Sequence, residues 1–277
     1  MSTRLRKILI GLAVFVVVAA VGAVFFVIPN LRDDESPVDA APTLPPTSTP
    51  EPGGSGSNGR DGFQAPVVDI LGRKVTVPNN PAGQPIAQVE PGERTGCTQD
   101  GAPVSSPSGV QIQQTTAVPM LVSSSDGPTE VSGNVLTGYS RSPQGAALAG
   151  WNWISALYGP GRVAKDAYTQ LTVPTAELDA LTAGQSWDGP PSSAASSLPA
   201  PVAFRVVSCT DDFASIEYAI EVPVDDNGAR RTTPVYSVLR AGMFYDGTNW
   251  KGRLDSRSVS GTTDITDISA FTRWALA

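Results

Sequence analysis

The stretch from Thr137 to Gly161, TGYSRSPQGAALAGWNWISALYGPG, constrains the fold more than any other part of the chain. It opens with a helix start signal. Ser142 is a good N-cap, and Pro143 suits the first helical position because its missing N–H would have no partner there anyway. Ala147, Trp151, Ile154 and Tyr158 recur at helical spacing, and so do Ala146, Gly150, Trp153 and Leu157. Gln144, Asn152 and Ser155 leave only a thin polar stripe, so the helix is expected to be buried on most of its circumference. Gly145, Ala149 and Gly150 let another backbone come close, at some cost in helix propensity. Gly159-Pro160-Gly161 ends it. A helix of this kind needs a sheet to pack under, with Trp151 and Trp153 read as core residues rather than as the lining of a ligand pocket.

Two further helices are expected, from Arg162 to about Leu171 and from Thr175 to Leu181 with Thr175 as cap. Ahead of them, Val67 to Pro78 (VVDILGRKVTVP) has β character on both sides of Gly72-Arg73. Asn79 to Gly109 is rich in Pro, Gly and Ser and reads as loop tethered by Cys97. The C-terminal third reads as an antiparallel meander. Ala214, Ile216, Tyr218, Ile220 and Val222 alternate with Ser215, Glu217, Ala219 and Glu221, a strand with one wet face. Asp225-Asp226-Asn227-Gly228 signals a hairpin turn. Phe271 and Trp274, three apart, are expected in a last helical turn. The class is therefore α+β, with helices packed on a curved antiparallel sheet over residues 67–277.

The N-terminal part has a different character. Ile8 to Ile28 is 21 residues of Gly and apolar side chains, enough at 1.5 Å per residue to cross a hydrocarbon core of about 30 Å. This exceeds the 7–15 residues of a signal h-region, and the run continues past the small-residue site Val21-Gly22-Ala23, so an uncleaved anchor is expected. Arg4, Arg6 and Lys7 precede the run, which places residues 1–7 in the cytoplasm and the C-terminal domain outside, in a single-pass cell-membrane protein. Residues 29–66 form a disordered linker, Pro-rich and then Gly/Ser-rich, that spaces the domain from the bilayer.

All 26 acidic residues follow the apolar run, and the net charge is −7. An acidic domain repels phosphate backbones, so no nucleic-acid partner is expected. The chain has no His and 2 Cys, which removes imidazole-based triads and His-ligated zinc. No catalytic, cofactor or metal residues are assigned. Gly138-Tyr139-Ser140-Arg141-Ser142 departs from the Gly-x-Ser-x-Gly nucleophile elbow and has no His to activate it. Asp211-Asp212 and Asp225-Asp226 lie in expected turns, where Asp is favoured for local hydrogen bonds. Cys97 and Cys209 are expected to form one intrachain disulfide in an oxidising compartment, the alternative being two unpaired buried thiols.

The segments SSSDGPTEVSGNVLTGYSRSPQGAALA and VVDILGRKVTVP resemble a group of uncharacterised actinobacterial membrane-anchored proteins. The shared residues are Ser123, Asp126, Gly127, Pro128 and Thr129, then Gly138 to Ala147, then the closing aromatic Trp274. The resemblance implies no activity. In layout such proteins are similar to the single-pass scaffold subunits of conjugative type IV secretion machines, whose outer domain is of the nuclear-transport-factor-two-like kind. That implies a non-enzymatic scaffold that meets other membrane or envelope proteins, with the lipid bilayer engaged through residues 8–28. Tyr236 and Tyr245 are then candidates for the partner surface. Two other readings remain open: a small-molecule or cell-wall binding module, and a His-free hydrolase or isomerase using Asp pairs.

Overall fold

The computed structural model describes residues 61–92, 95–97, 103–191, 198–225, 227–254 and 263–277. The apolar segment 8–28 and residues 29–60 of the linker lie outside them; among the described residues no helix is long and apolar enough to cross a membrane.

The described residues open with a hairpin, β1 (Phe63–Val68) and β2 (Lys74–Pro78), so β1 begins inside the stretch assigned to linker. Strands β3 (Gln111–Gln113) and β4 (Met120–Val122) complete a four-stranded sheet of order β1-β2-β3-β4, in which β2 and β3 run parallel. A small hairpin follows, β5 (Glu130–Ser132) and β6 (Val135–Thr137), and then come the helices. These are α1 (Pro143–Leu157), α2 (Gly161–Gln170) and α3 (Ala176–Thr182). The remaining strands are β7 (Ala203–Thr210), β8 (Phe213–Glu221), β9 (Tyr236–Tyr245), β10 (Trp250–Gly252), β11 (Thr263–Ile265) and β12 (Thr272–Arg273). They form a six-stranded antiparallel sheet of order β10-β9-β8-β7-β12, with β11 also on β9. The fold is α+β, as expected, but with a second sheet that the short β3 and β4 had hidden.

Helix α1 lies between the two sheets, touching β4 on one side and β7 to β10 on the other. Every residue from Gln144 to Ala156 is buried, the expected polar stripe included. Asn152 and Ser155 of that stripe bond to β4 and the loop that enters it, and Gln144 to the Thr95 loop. Asn152 accepts from the Leu121 amide at 2.8 Å and donates to the Leu121 carbonyl at 2.7 Å, so its amide pairs with β4 as a neighbouring strand would. The Ser155 hydroxyl donates to the Val118 carbonyl, and the Trp151 indole to Pro119. On the opposite side Gly150 faces the Tyr218 hydroxyl and Met243; a Cβ there would come closer than 3.0 Å to the hydroxyl. Tyr218 donates to the Ala147 carbonyl at 2.8 Å. Trp153 covers Gly252 and donates to the Thr172 hydroxyl at 2.9 Å.

Three expectations are corrected here. The last aromatics are not in a helical turn: Thr272 pairs with Phe204 and Arg273 with Ala203, so the segment is a strand on β7. In an extended chain a spacing of three puts side chains on opposite faces. Trp274 accordingly stacks on Phe204 at 4.3 Å inside, while Phe271 packs outside with Ala203, Ala219, Tyr236 and Ile268. This second cluster also means that the alternate face of β8 is partly covered; Glu217 and Ala219 are buried. Tyr236, expected at a partner surface, belongs to the same cluster and is buried. Tyr245 is half-buried, its ring under the Arg141 guanidinium.

Candidate functional site

The densest group of polar side chains gathers where α1 begins. Ser123 accepts from the Asp126 amide at 2.8 Å and shapes a tight turn that carries Asp126 inward, where it is 1% exposed. The Asp126 carboxylate then accepts from three hydroxyls: Ser140 at 2.6 Å and Ser142 at 2.8 Å on Oδ1, and Ser125 at 2.7 Å on Oδ2. Ser140 and Ser142 Oγ are themselves 2.6 Å apart. Ser142 Oγ also accepts from the Gly145 amide at 3.0 Å, which is the expected N-cap bond, with Pro143 in the first turn.

Glycines make this convergence sterically possible. Gly127 has φ 88° and lies against the Gly138 carbonyl; Gly138 has φ 76° and lies against the Thr129 hydroxyl. A Cβ on Gly145 would collide with the Ser140 carbonyl, an oxygen that accepts from the Trp250 indole at 2.8 Å. The two motif segments, Ser123 to Thr129 and Gly138 to Ala147, are thus the two sides of one contact.

Chemically the cluster is a lock. Each hydroxyl has a single proton, and Asp126 shares its acceptor capacity among three of them. The geometry closes the start of α1, ties it to the preceding turn, and hangs the β10 indole on the same joint.

Of the residues expected to matter, Ser142, Pro143 and Gly145 meet at this joint. Gly150, Trp151 and Trp153 lie deeper along α1 as packing residues, both indoles 0% exposed. Cys97 and Cys209 form the expected disulfide, with Cα atoms 5.7 Å apart, inside the usual range. The cysteine loop also reaches α1: Gln144 donates to the Thr95 carbonyl at 2.9 Å. Asp212 of the first acidic pair holds Arg141 at the surface. Asp225 of the second accepts from the Asn227 and Ala229 amides, as turn residues do.

A second polar group went unnoticed in the sequence. On the outer face of the main sheet, Arg205, Glu217 and Arg240 are direct cross-strand partners. Glu217 accepts from both guanidinium groups, one on each carboxylate oxygen. Burial alone would push its carboxyl up, but the hydrogen bonds and charges of Arg240 and Arg205 outweigh this and hold it below the usual value. The Arg205 guanidinium also lies over the Phe271 ring. The only signal available was a Glu within an alternating strand, with an Arg on each side strand.

Elsewhere, burial pushes the Tyr139 and Tyr218 hydroxyls well up; Tyr139 accepts from the Asn152 amide, and Tyr218 donates to the Ala147 carbonyl. A shallow cleft lined by Lys74, Thr76, Val110, Gln111 and Leu276 encloses about 10 Å³, room for one water at most. Among the described residues no group of three or more acidic or cysteine side chains is placed to hold a metal.

A helix buried between two sheets, its start locked by a Ser–Asp joint, defines an α+β domain with one apolar core running through both sheets. The family model described as a domain of unknown function, DUF8175, matches residues 76–273, and the chain belongs to that family. No curated protein matches it, and no solved structure does.

Proposed function

We propose that the chain is a single-pass membrane protein whose acidic domain works outside the cytoplasm, holding other membrane or envelope proteins together without turnover. Among envelope-spanning assemblies, the plan of a conjugative type IV secretion scaffold, with its nuclear-transport-factor-two-like outer domain, is the one it follows. The reading of Ile8 to Ile28 as an anchor and of 29–60 as a stalk supports the placement.

The observation that carries the reading is the outer face of the six-stranded sheet. The inner face is filled by α1, whereas the outer face keeps Arg205 and Arg240 with side chains 42% and 39% exposed. Glu217 holds both planar forks in place before any partner arrives, which lowers the ordering cost of binding. Arg is enriched at the centres of protein interfaces. Val207, 46% exposed at a bulge in β7, adds apolar area nearby.

Photo-crosslinking side chains in place of Val207 or Ser215, in cells, test this. Capture of membrane or envelope proteins from one gene cluster is expected, with little from a probe at Glu177 on α3. A domain that captures no protein from the sheet face, yet purifies with a tightly held small molecule, would make it a binding module instead.

A further inference from the structure

The turn of the first hairpin reverses the usual polarity of a turn. Its charged side chains are folded inward: Asp69 accepts from the Leu71 and Arg73 amides, each at 2.9 Å, and pairs with the Arg73 guanidinium. Arg73 in turn donates to the carbonyls of Ala200 and Pro201, at 2.7 and 3.2 Å, pinning the turn to the entrance of β7. The Asp69 and Arg73 side chains are only 11% and 14% exposed. The apolar side chains around the turn are left outside: Val67 is 46% exposed, Val68 70% and Ile70 51%, with Phe63, 44% exposed, at the far end of β1. The molecule therefore keeps an exposed apolar tip on a chain of net charge −7. The family match begins at residue 76, so β1 and the tip precede it.

We propose that this tip docks on the outer surface of the lipid bilayer in which the chain is anchored, fixing the orientation of the domain. The inference rests on the reading of residues 8–28 as a membrane anchor.

Three observations select lipid over other occupants. First, β1 is a poor template for a second copy: Pro66 has no N–H to give, and the strand is bulged between Gln64 and Val67. The exposed surface is thus side-chain surface rather than a strand edge waiting for a partner. Second, the 34 residues from 29 to 62 separate the apolar span from β1. Even fully extended, a chain of that length reaches no more than about 110–120 Å, so the tip is tethered to the same bilayer. Third, Lys74 is exposed directly across the strand pair from Val68. An ammonium beside apolar side chains suits an interface, where it meets lipid phosphate while its neighbours enter the acyl boundary.

The test uses the full chain reconstituted in phosphatidylglycerol/phosphatidylethanolamine vesicles containing doxyl-labelled lipid. Because both native cysteines are bonded, Val68→Cys and Ile70→Cys can each be labelled alone with an environment-sensitive fluorophore, with Glu177→Cys as control. Quenching at 68 and 70 at least threefold stronger than at 177 is expected. Carbonate extraction of the same vesicles reads the anchor separately. Equal, weak quenching at all three positions in a chain that resists extraction overturns the docking and leaves the anchor intact. Extraction without quenching overturns both. Extraction with strong quenching overturns the anchor and leaves the lipid contact standing. Unquenched Val68→Cys chains that oxidise to dimers would show that the tip meets a second copy instead.

Discussion

Asp126 ties the turn before β5 to the start of α1, because three hydroxyls from two chain segments converge on it. Hydrogen bonds to a charged group are each worth about 1.5–3 kcal/mol, and losing the acceptor strands several donors in a closed site. Asp126→Ala is therefore expected to cost about 3 kcal/mol or more, read as a lower denaturant midpoint at unchanged m value. Ser142→Ala, which loses the cap bond and one of the three hydroxyls on Asp126, is expected to cost about 1–2 kcal/mol. Equal losses in the two variants would mean that Asp126 adds nothing to ordinary capping. Glu217 carries a pH prediction. Its folded carboxyl is held below its ordinary value, so its stabilising contribution is complete above the unfolded value of about 4.3 and fades as pH falls through the folded one. The melting temperature of the parent should exceed that of Glu217→Gln fully near neutral pH, and the gap should narrow below about pH 4. A gap independent of pH would remove the charge from the explanation. Both residues stood in the sequence, but their partners other than the neighbouring Ser125 are 12 to 23 positions away. Local pattern names the cap Ser142; it does not reveal which carboxylate the cap leans on.

Helix α1 shows what a sequence pattern carries well. Cap, stop signal and small residues were all local, and the observed helix starts and ends within about a residue of that reading. The last strand shows the opposite. Two aromatics three apart fit a helical turn and an extended segment equally well over so few residues, and the free edge of β7 decided for strand. The second sheet was illegible for a related reason: β3 and β4 have three residues each, too few for a period to register. Packing around α1 makes a sharper forecast than its helicity. A Cβ added to Gly252 would meet the Trp153 ring at less than 3.0 Å, with every close atom belonging to that indole. Gly252→Ala should then overpack the site by about 1–3 kcal/mol, and Trp153→Ala should cost about 3–5 kcal/mol. Because the clash needs the ring, the double variant should be more stable than the sum of the two losses implies, by at least about 1 kcal/mol in a double-mutant cycle. Strict additivity would mean that the ring does not lie over Gly252. Gly150→Leu, pushed against Tyr218 and Met243, is expected to fall in the same 1–3 kcal/mol range.

At the scale of the molecule, the question is what makes two sheets one folding unit. The disulfide is one link: Cys97 lies in the loop between β2 and β3, Cys209 lies in β7, and they are 112 residues apart. The sheets are also joined without it. Val110 exchanges backbone hydrogen bonds with Ala275 and Ala277, the Thr272 hydroxyl donates to the Val104 carbonyl, and Arg73 holds the carbonyls before β7. Helix α1 fills the space between: its Asn152 side chain bonds to β4, and its Ala147 carbonyl accepts from Tyr218 of β8. Closing a loop of that length removes about 4–5 kcal/mol of chain entropy from the unfolded state in the loop-closure model. The bridge should therefore set how stable the domain is without deciding whether it is cooperative. In Cys97→Ser/Cys209→Ser, with the full chain in detergent, the unfolding free energy should fall by up to that amount. The transition should stay single and coincide by Trp fluorescence and far-UV circular dichroism. The five indoles include Trp151 and Trp153 on α1 and Trp250 and Trp274 on the main-sheet side, so fluorescence follows the helix and the larger sheet together. Two separated transitions in the bridge-free chain would show that the disulfide alone unites the sheets, and that the contacts through α1 and the C-terminal strand are too weak to do so.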